Sequence, residues 1–118
     1  MTSTQTIALV GGTGRLGKLI GNALLDKGGV RLRLLIRPGS GSKAADLVQR
    51  GAQIVEGGMG DGDGAALATL CQGASTVISA VQGGPEVIIE GQTRLFRAAR
   101  DAGVKRFIEF LREHLGQA

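Results

Sequence analysis

At 118 residues the chain has room for one domain and one real core, and 42% hydrophobic with 20% charged residues is the balance of an ordinary water-soluble globule. A formal charge of +4 and a pI near 10 invite a nucleic-acid partner, but the 14 Lys and Arg form no basic run and the only aromatic residues are three Phe, so nucleic acid is excluded as the expected partner. No apolar run reaches the roughly 18 residues of a membrane span, and MTSTQT has neither the basic start nor the apolar stretch of a signal peptide, so the expectation is a cytoplasmic protein without a membrane.

Along the chain, strand-length apolar runs alternate with helical patterns. Thr6 to Val10 reads as a strand, and Arg15 to Lys27 as a helix with Leu16, Ile20, Ala23 and Leu24 on one face and Gly28-Gly29 as its stop. Arg31 to Arg37 is the second strand, and Ser42 to Arg50 a short helix carrying Ala45, Leu47 and Val48. Ala52 to Glu56 follows as a strand, Gly64 to Cys71 as a helix, and Thr76 to Val81 as a strand. Pro85 suits the first turn of a helix running to Ala102, with Ile88, Gly91, Leu95 and Ala98 or Ala99 on one face and Gly103 as a left-handed cap. Lys105 to Phe110 is the last strand. Such alternation implies right-handed crossovers and a parallel sheet covered on both faces. The expected fold is α/β, a doubly wound parallel sheet of about five strands in the order 3-2-1-4-5, in one domain over residues 1–118 with no repeat and no linker.

In a sheet of that order ligands bind beyond the carboxyl ends of the strands, beside strand one. GGTGRLG sits at that place, between strand and helix. One glycine there permits the sharp turn, a second lets the main chain approach a pyrophosphate, and a third allows close helix–strand packing. The helix N-terminus adds unpaired N–H groups and partial positive charge. Two spacings fit: Gly12, Gly14 and Gly17, or Gly11, Gly14 and Gly17. Either predicts a dinucleotide site. The choice of dinucleotide falls at the end of strand two, about 20 residues on, where an acid holds a ribose 2′-OH and an arginine suits a 2′-phosphate. Arg37 stands there, and Arg15 and Lys43 are placed to converge on the same phosphate. The expected cofactor is NADP rather than NAD.

GGTGRLG, LLIRPGS, GAQIVEGG, GASTVISAV and GQTRLFRAARDAGVKRFI occur in order between Thr6 and Ile108. Together they resemble the N-terminal half of the NmrA-like, isoflavone-reductase-like branch of the atypical short-chain dehydrogenases/reductases. The resemblance implies an NADP-preferring Rossmann domain, followed in the family by a smaller substrate lobe. Some members deliver hydride from NADPH, and others act as redox-sensing regulators. It also implies Gly11, Gly12, Thr13, Gly14, Arg15, Leu16 and Gly17 around the pyrophosphate and Arg37 on the 2′-phosphate, with Lys43 as helper. The end of strand four, Ser79 to Gly83 with Ala80 and Val81, would pass beside the nicotinamide ribose, and Gln92 on the next helix is expected to be structural.

Two departures from the family pattern stand out. Gly58 occupies the place of an acid near the adenine, and the tail 109–118, EFLREHLGQA, diverges where the family continues toward its substrate lobe and a catalytic lysine or Tyr-x-x-x-Lys pair. No catalytic residue is therefore assigned. The expectation is an NADP(H)-binding domain of reductase ancestry. The alternatives are a non-catalytic dinucleotide-sensing module and a truncated product without a function of its own.

The remaining polar residues offer little chemistry. His114 is the only histidine, in a tail helix pattern with Phe110, Leu111 and Leu115, and one Cys with one His cannot build a tetrahedral metal site. Asp61 and Asp63 read as turn formers, and Cys71 as a small buried apolar residue. No Gly-flanked serine elbow and no Gly-Lys-Ser/Thr phosphate loop is present. If strand five ends the sheet, its outer edge and Phe107, Ile108 and Phe110 are expected to recruit a second copy or a covering C-terminal helix.

Overall fold

The structure, a computed structural model, describes residues 4–80 and 85–109. Five strands, β1 (Gln5–Val10), β2 (Val30–Ile36), β3 (Gln53–Glu56), β4 (Thr76–Ser79) and β5 (Arg106–Glu109), alternate with α1 (Arg15–Lys27), α2 (Ala45–Gln49), α3 (Gly64–Cys71) and α4 (Pro85–Asp101). They form one parallel sheet in the order β3-β2-β1-β4-β5, as the alternation predicts. The register aligns the carboxyl ends: Val10 faces Leu35 on one side and Ser79 on the other, Ile36 faces Glu56, and Ser79 faces Glu109. The loops that leave β1, β2 and β3 therefore open on the same side.

Alternation along the strands sends neighbouring residues to opposite faces. Ile7, Leu9, Leu32, Leu34, Ile36 and Ile78 pack under α1 and α2 with Leu47 of α2, while Ala8, Val10, Leu35 and Val77 meet Leu67, Leu70 and Cys71 of α3 and Leu95 and Ala99 of α4. Fully burying one such leucine contributes about 1.5–3 kcal/mol, and the two layers together make the core.

The helices keep their expected spans, with local differences. Ser42 to Arg50 is a 3-10 turn, Gly41–Ala44, followed by α2, and it buries Ala44 and Leu47 while Ala45 and Val48 stay exposed. In α1, Ala23 is exposed and the two buried residues are Gly17 and Gly21. A side chain at Gly21 would meet Leu47 at 3.1 Å, so bare backbone brings the helix close to α2 while Ile20, Leu24 and Leu25 pack half-buried against the core. Gly103, at φ 79°, ends α4 in the left-handed conformation expected of it. Strand four runs to Ser79 and strand five to Glu109. Val81 and Phe110, placed by sequence at their ends, lie outside the described residues.

Arg33 projects from β2 toward α3, where its Nη1 donates to the carbonyls of Thr69, Leu70 and Gln72 at 3.1, 2.8 and 2.7 Å. A guanidinium thereby satisfies the terminal carbonyls of α3 and complements its dipole. Hydrogen bonds to a charged group are worth about 1.5–3 kcal/mol. Arg33→Met is expected to lower stability by about 2 kcal/mol in urea denaturation; an unchanged midpoint would show that water replaces the guanidinium freely.

Candidate functional site

At the end of β1 the chain turns through Gly11, whose φ of 86° is open to glycine and costly for other residues. The Gly14 N–H donates to the Gly11 carbonyl at 3.1 Å, closing the turn, and the Lys18 N–H donates to the Gly14 carbonyl at 2.9 Å, starting α1. Gly14 is the N-cap and no side chain caps the helix, so the first-turn N–H groups are left for another acceptor. A Cβ on Gly14 would meet nothing closer than the Gly11 carbonyl at 3.6 Å. The backbone at the start of α1 is thus open to a ligand approaching at Gly14.

The third glycine has the opposite surroundings. A Cβ on Gly17 would lie 1.9 Å from the Gly11 carbonyl oxygen, 2.6 Å from its carbon and 2.8 Å from the Gly12 Cα. Gly17 is thus where helix and loop touch. Gly12 is buried, and a Cβ there would press on Leu34 at 3.0 Å. Of the two spacings that fit the sequence, the structure has Gly11 at the turn, open space at Gly14 and close packing at Gly17, while Gly12 faces the core.

A cavity of about 340 Å³ lies over this loop, lined among others by Gly11, Thr13, Gly14, Arg37, Lys43 and Ala80. The turn after β2 assembles its basic rim: the Ser40 N–H donates to the Arg37 carbonyl and the Lys43 N–H to the Ser40 carbonyl, each at 3.0 Å. Arg37, Ser40 and Lys43 therefore border the same space as the glycine loop. Of the other residues singled out in the sequence, Gly12, Arg15, Leu16 and Gly17 are outside the lining; Arg15 is exposed at the start of α1, and Leu16 is half-buried. Ala80 borders the cavity with its N–H bonded to the Val10 carbonyl at 2.8 Å, and Val81 falls outside the described residues.

Sequence reasoning missed Ser40 and Met59, both in the lining. Ser40 carries no signal beyond its place in the Arg37-Pro38-Gly39-Ser40 turn. Met59 follows Gly57 and Gly58, which border the cavity beyond β3. Asp61 is not among these residues; it belongs to a larger cavity of about 650 Å³ between α3 and α4, which takes no residue of the glycine loop. Asp63 forms a turn as expected, its Oδ2 accepting the Gly60 N–H at 2.8 Å.

Gln92 is buried, and its Nε2 donates to the Oγ of Ser79, itself fully buried at the end of β4. The pair ties α4 to the strand that ends at Ala80, a structural role as the sequence suggested. Burial pushes the Cys71 thiol up to about 11 against the opposing pull of Arg33, so it is protonated and inert near neutral pH. Among the described residues no group of three His, Cys, Asp or Glu could hold a metal ion, and no helix is long and apolar enough to cross a membrane. His114 lies outside the described residues.

A parallel sheet reversing its order at β1, with a glycine loop opening α1 beneath a basic rim, defines a Rossmann-type nucleotide-binding architecture. The chain belongs to the NmrA-like family, whose model matches residues 3–110. It is 36% identical over 113 residues to the asnovolin J 5′,6′-dehydrogenase of Aspergillus novofumigatus, covering 92% of this chain and 33% of that protein. Among solved structures it is similar to the Citrobacter sp. triphenylmethane reductase complexed with NADP(H), at 30% identity and a TM-score of 0.70, over 87% of this chain and 36% of the other. It is also similar to NmrA, a negative transcriptional regulator, in complex with NAD, at 22% identity and a TM-score of 0.77, over 91% of this chain and 33% of the other. That last likeness speaks for the fold alone. The chain spans about a third of the length of each of these proteins.

Proposed function

We propose that residues 1–118 form a single NADP(H)-binding domain of reductase type, acting in the cytoplasm and preferring NADP(H) to NAD(H). The observation that carries this reading is the shared cavity: Gly11, Thr13 and Gly14 line it from one side and Arg37, Ser40 and Lys43 from the other. The open space at Gly14, with α1 uncapped by any side chain, fits a pyrophosphate. Arg37 stands where an NAD-specific fold carries a carboxylate. Its planar fork matches two phosphate oxygens, and each charge-assisted bond is worth about 1.5–3 kcal/mol.

In this reading Gly11, Thr13, Gly14, Arg15, Leu16 and Gly17 form the pyrophosphate loop, with Gly12 supporting it from the core side. Arg37 and Lys43 hold the 2′-phosphate, and Ala80 and Val81 border the nicotinamide ribose. The dinucleotide supplies hydride chemistry when bound; the chain's own residues bind and orient it. The Citrobacter reductase, solved with NADP(H), supports the choice of cofactor. Self-association through the β5 edge, where Ile108 is 38% exposed, belongs to the same proposal.

Isothermal titration tests the preference directly. NADP(H) is expected to bind about tenfold more tightly than NAD(H) or better, ~1.4 kcal/mol, and Arg37→Ala should erase most of the difference. Equal affinities in the unmodified protein would overturn the assignment.

A further inference from the structure

Met59 connects two parts of the molecule. It lines the cavity over the glycine loop together with Gly57 and Gly58, packs against the core layer beneath α3 and α4, and touches α4 at two points. A Cβ built on the buried Gly91 would stand 3.1 Å from the Met59 Cε and 3.3 Å from its Cβ, so the missing side chain leaves the room in which Met59 sits. One turn further along the helix, the Arg94 Nη1 donates to the Met59 carbonyl at 3.1 Å, and Arg94 is itself steadied by Glu90 at 3.9 Å. Side chain and carbonyl of one residue are both fixed by a helix that takes no part in the cavity lining.

The sheet order says which end of the ligand this affects. β3 lies outside β2, and Arg37 follows β2, whereas Ala80 follows β4 on the far side of β1. The Gly57–Met59 wall therefore faces the adenosine side. We infer that Gly91 and Arg94 of α4 are positioning residues for the adenosine end of the dinucleotide, acting through Met59. The inference rests on the proposed dinucleotide reading. It also accounts for a site with Gly58 where an acidic contact was expected: a thioether wall held from behind needs no charge to bind a flat base.

Gly91→Ala isolates the effect. Alanine is favoured over glycine inside a helix, so the variant should fold and melt no lower than the unmodified chain. The Met59 Cε can swing away from the new methyl, but the Met59 Cβ cannot move without its backbone, so the cavity wall must shift. Titration with adenosine 2′,5′-bisphosphate should show about fivefold weaker binding for Gly91→Ala and a similar loss for Arg94→Met, which releases the Met59 carbonyl. In a Met59→Gly background, Gly91→Ala should have no further effect, because the group it pushes is gone. Unchanged affinity in Gly91→Ala, or the same loss in both backgrounds, would overturn the inference and leave the proposed function standing. Absence of any binding of this ligand or of NADPH by the unmodified chain would overturn both.

Discussion

Replacing Gly17 with valine should abolish dinucleotide binding, weakening it by about a hundredfold or more, and should destabilise the fold by about 3 kcal/mol. The three atoms that a Cβ at this position would strike, at 1.9, 2.6 and 2.8 Å, all belong to the backbone of Gly11 and Gly12. Backbone cannot rotate out of the way as a side-chain tip can. Relief requires either lifting the first turn of α1 off the loop or unwinding the turn at Gly11, and both moves separate the helix N-terminus from the cradle it completes. Gly14→Ala is the matched control. Its Cβ meets only the Gly11 carbonyl at 3.6 Å, so the melting temperature should hold while the methyl intrudes on the space proposed for the anion. Loss of both stability and binding at Gly17, and of binding alone at Gly14, would separate packing from recognition. Calorimetric melting and titration of the two variants measure it, and a stable Gly17→Val that binds normally would refute the assignment of roles.

Much of the fold was legible in the sequence because it depends on local periodicity. Strands rich in Val, Ile and Leu and helices closed by Gly28 and Gly103 specify crossovers, and handedness then leaves few sheet orders. What could not be read depends on which atoms meet after packing. Hydrophobic periodicity assigned Ala23 to the buried face of α1, but the helix approaches the sheet through Gly17 and Gly21, residues that bury backbone and carry no hydrophobic signal. The two glycine spacings were indistinguishable until Leu34 was seen to occupy the space beside Gly12.

The partner of a charged residue in a strand is hidden for the same reason. Nothing in the sequence assigns a role to Arg33, between Leu32 and Leu34, yet it spans to α3 and closes that helix. In the candidate site, Arg37 was found because its type and distance from the glycines carry a chemical expectation. Ser40 and Met59 have neither, and only the turn after β2 and the contact with α4 bring them to the cavity.

The last expectation is that binding and turnover come apart in this chain. Hydride transfer to a carbonyl needs a group that stabilises the charge developing on oxygen, because rate comes from interactions made in the transition state rather than from affinity for the cofactor. The basic residues that line the cavity, Arg37 and Lys43, both lie beyond β2, toward the adenosine side. At the end of β4, among the described residues, stand Ala80 and the fully buried Ser79, whose hydroxyl is already engaged by Gln92. The sequence contains no tyrosine. NADPH should therefore bind, seen as a rise in melting temperature or a change in nicotinamide fluorescence. Panels of quinones, flavins, enals and phenylpropanoids should produce no substrate-dependent loss of absorbance from the reduced cofactor. Saturable oxidation with any one of them, abolished by Gly17→Val and retained in a protein purified to constant specific activity, would place a proton donor at the nicotinamide end that the described residues do not provide.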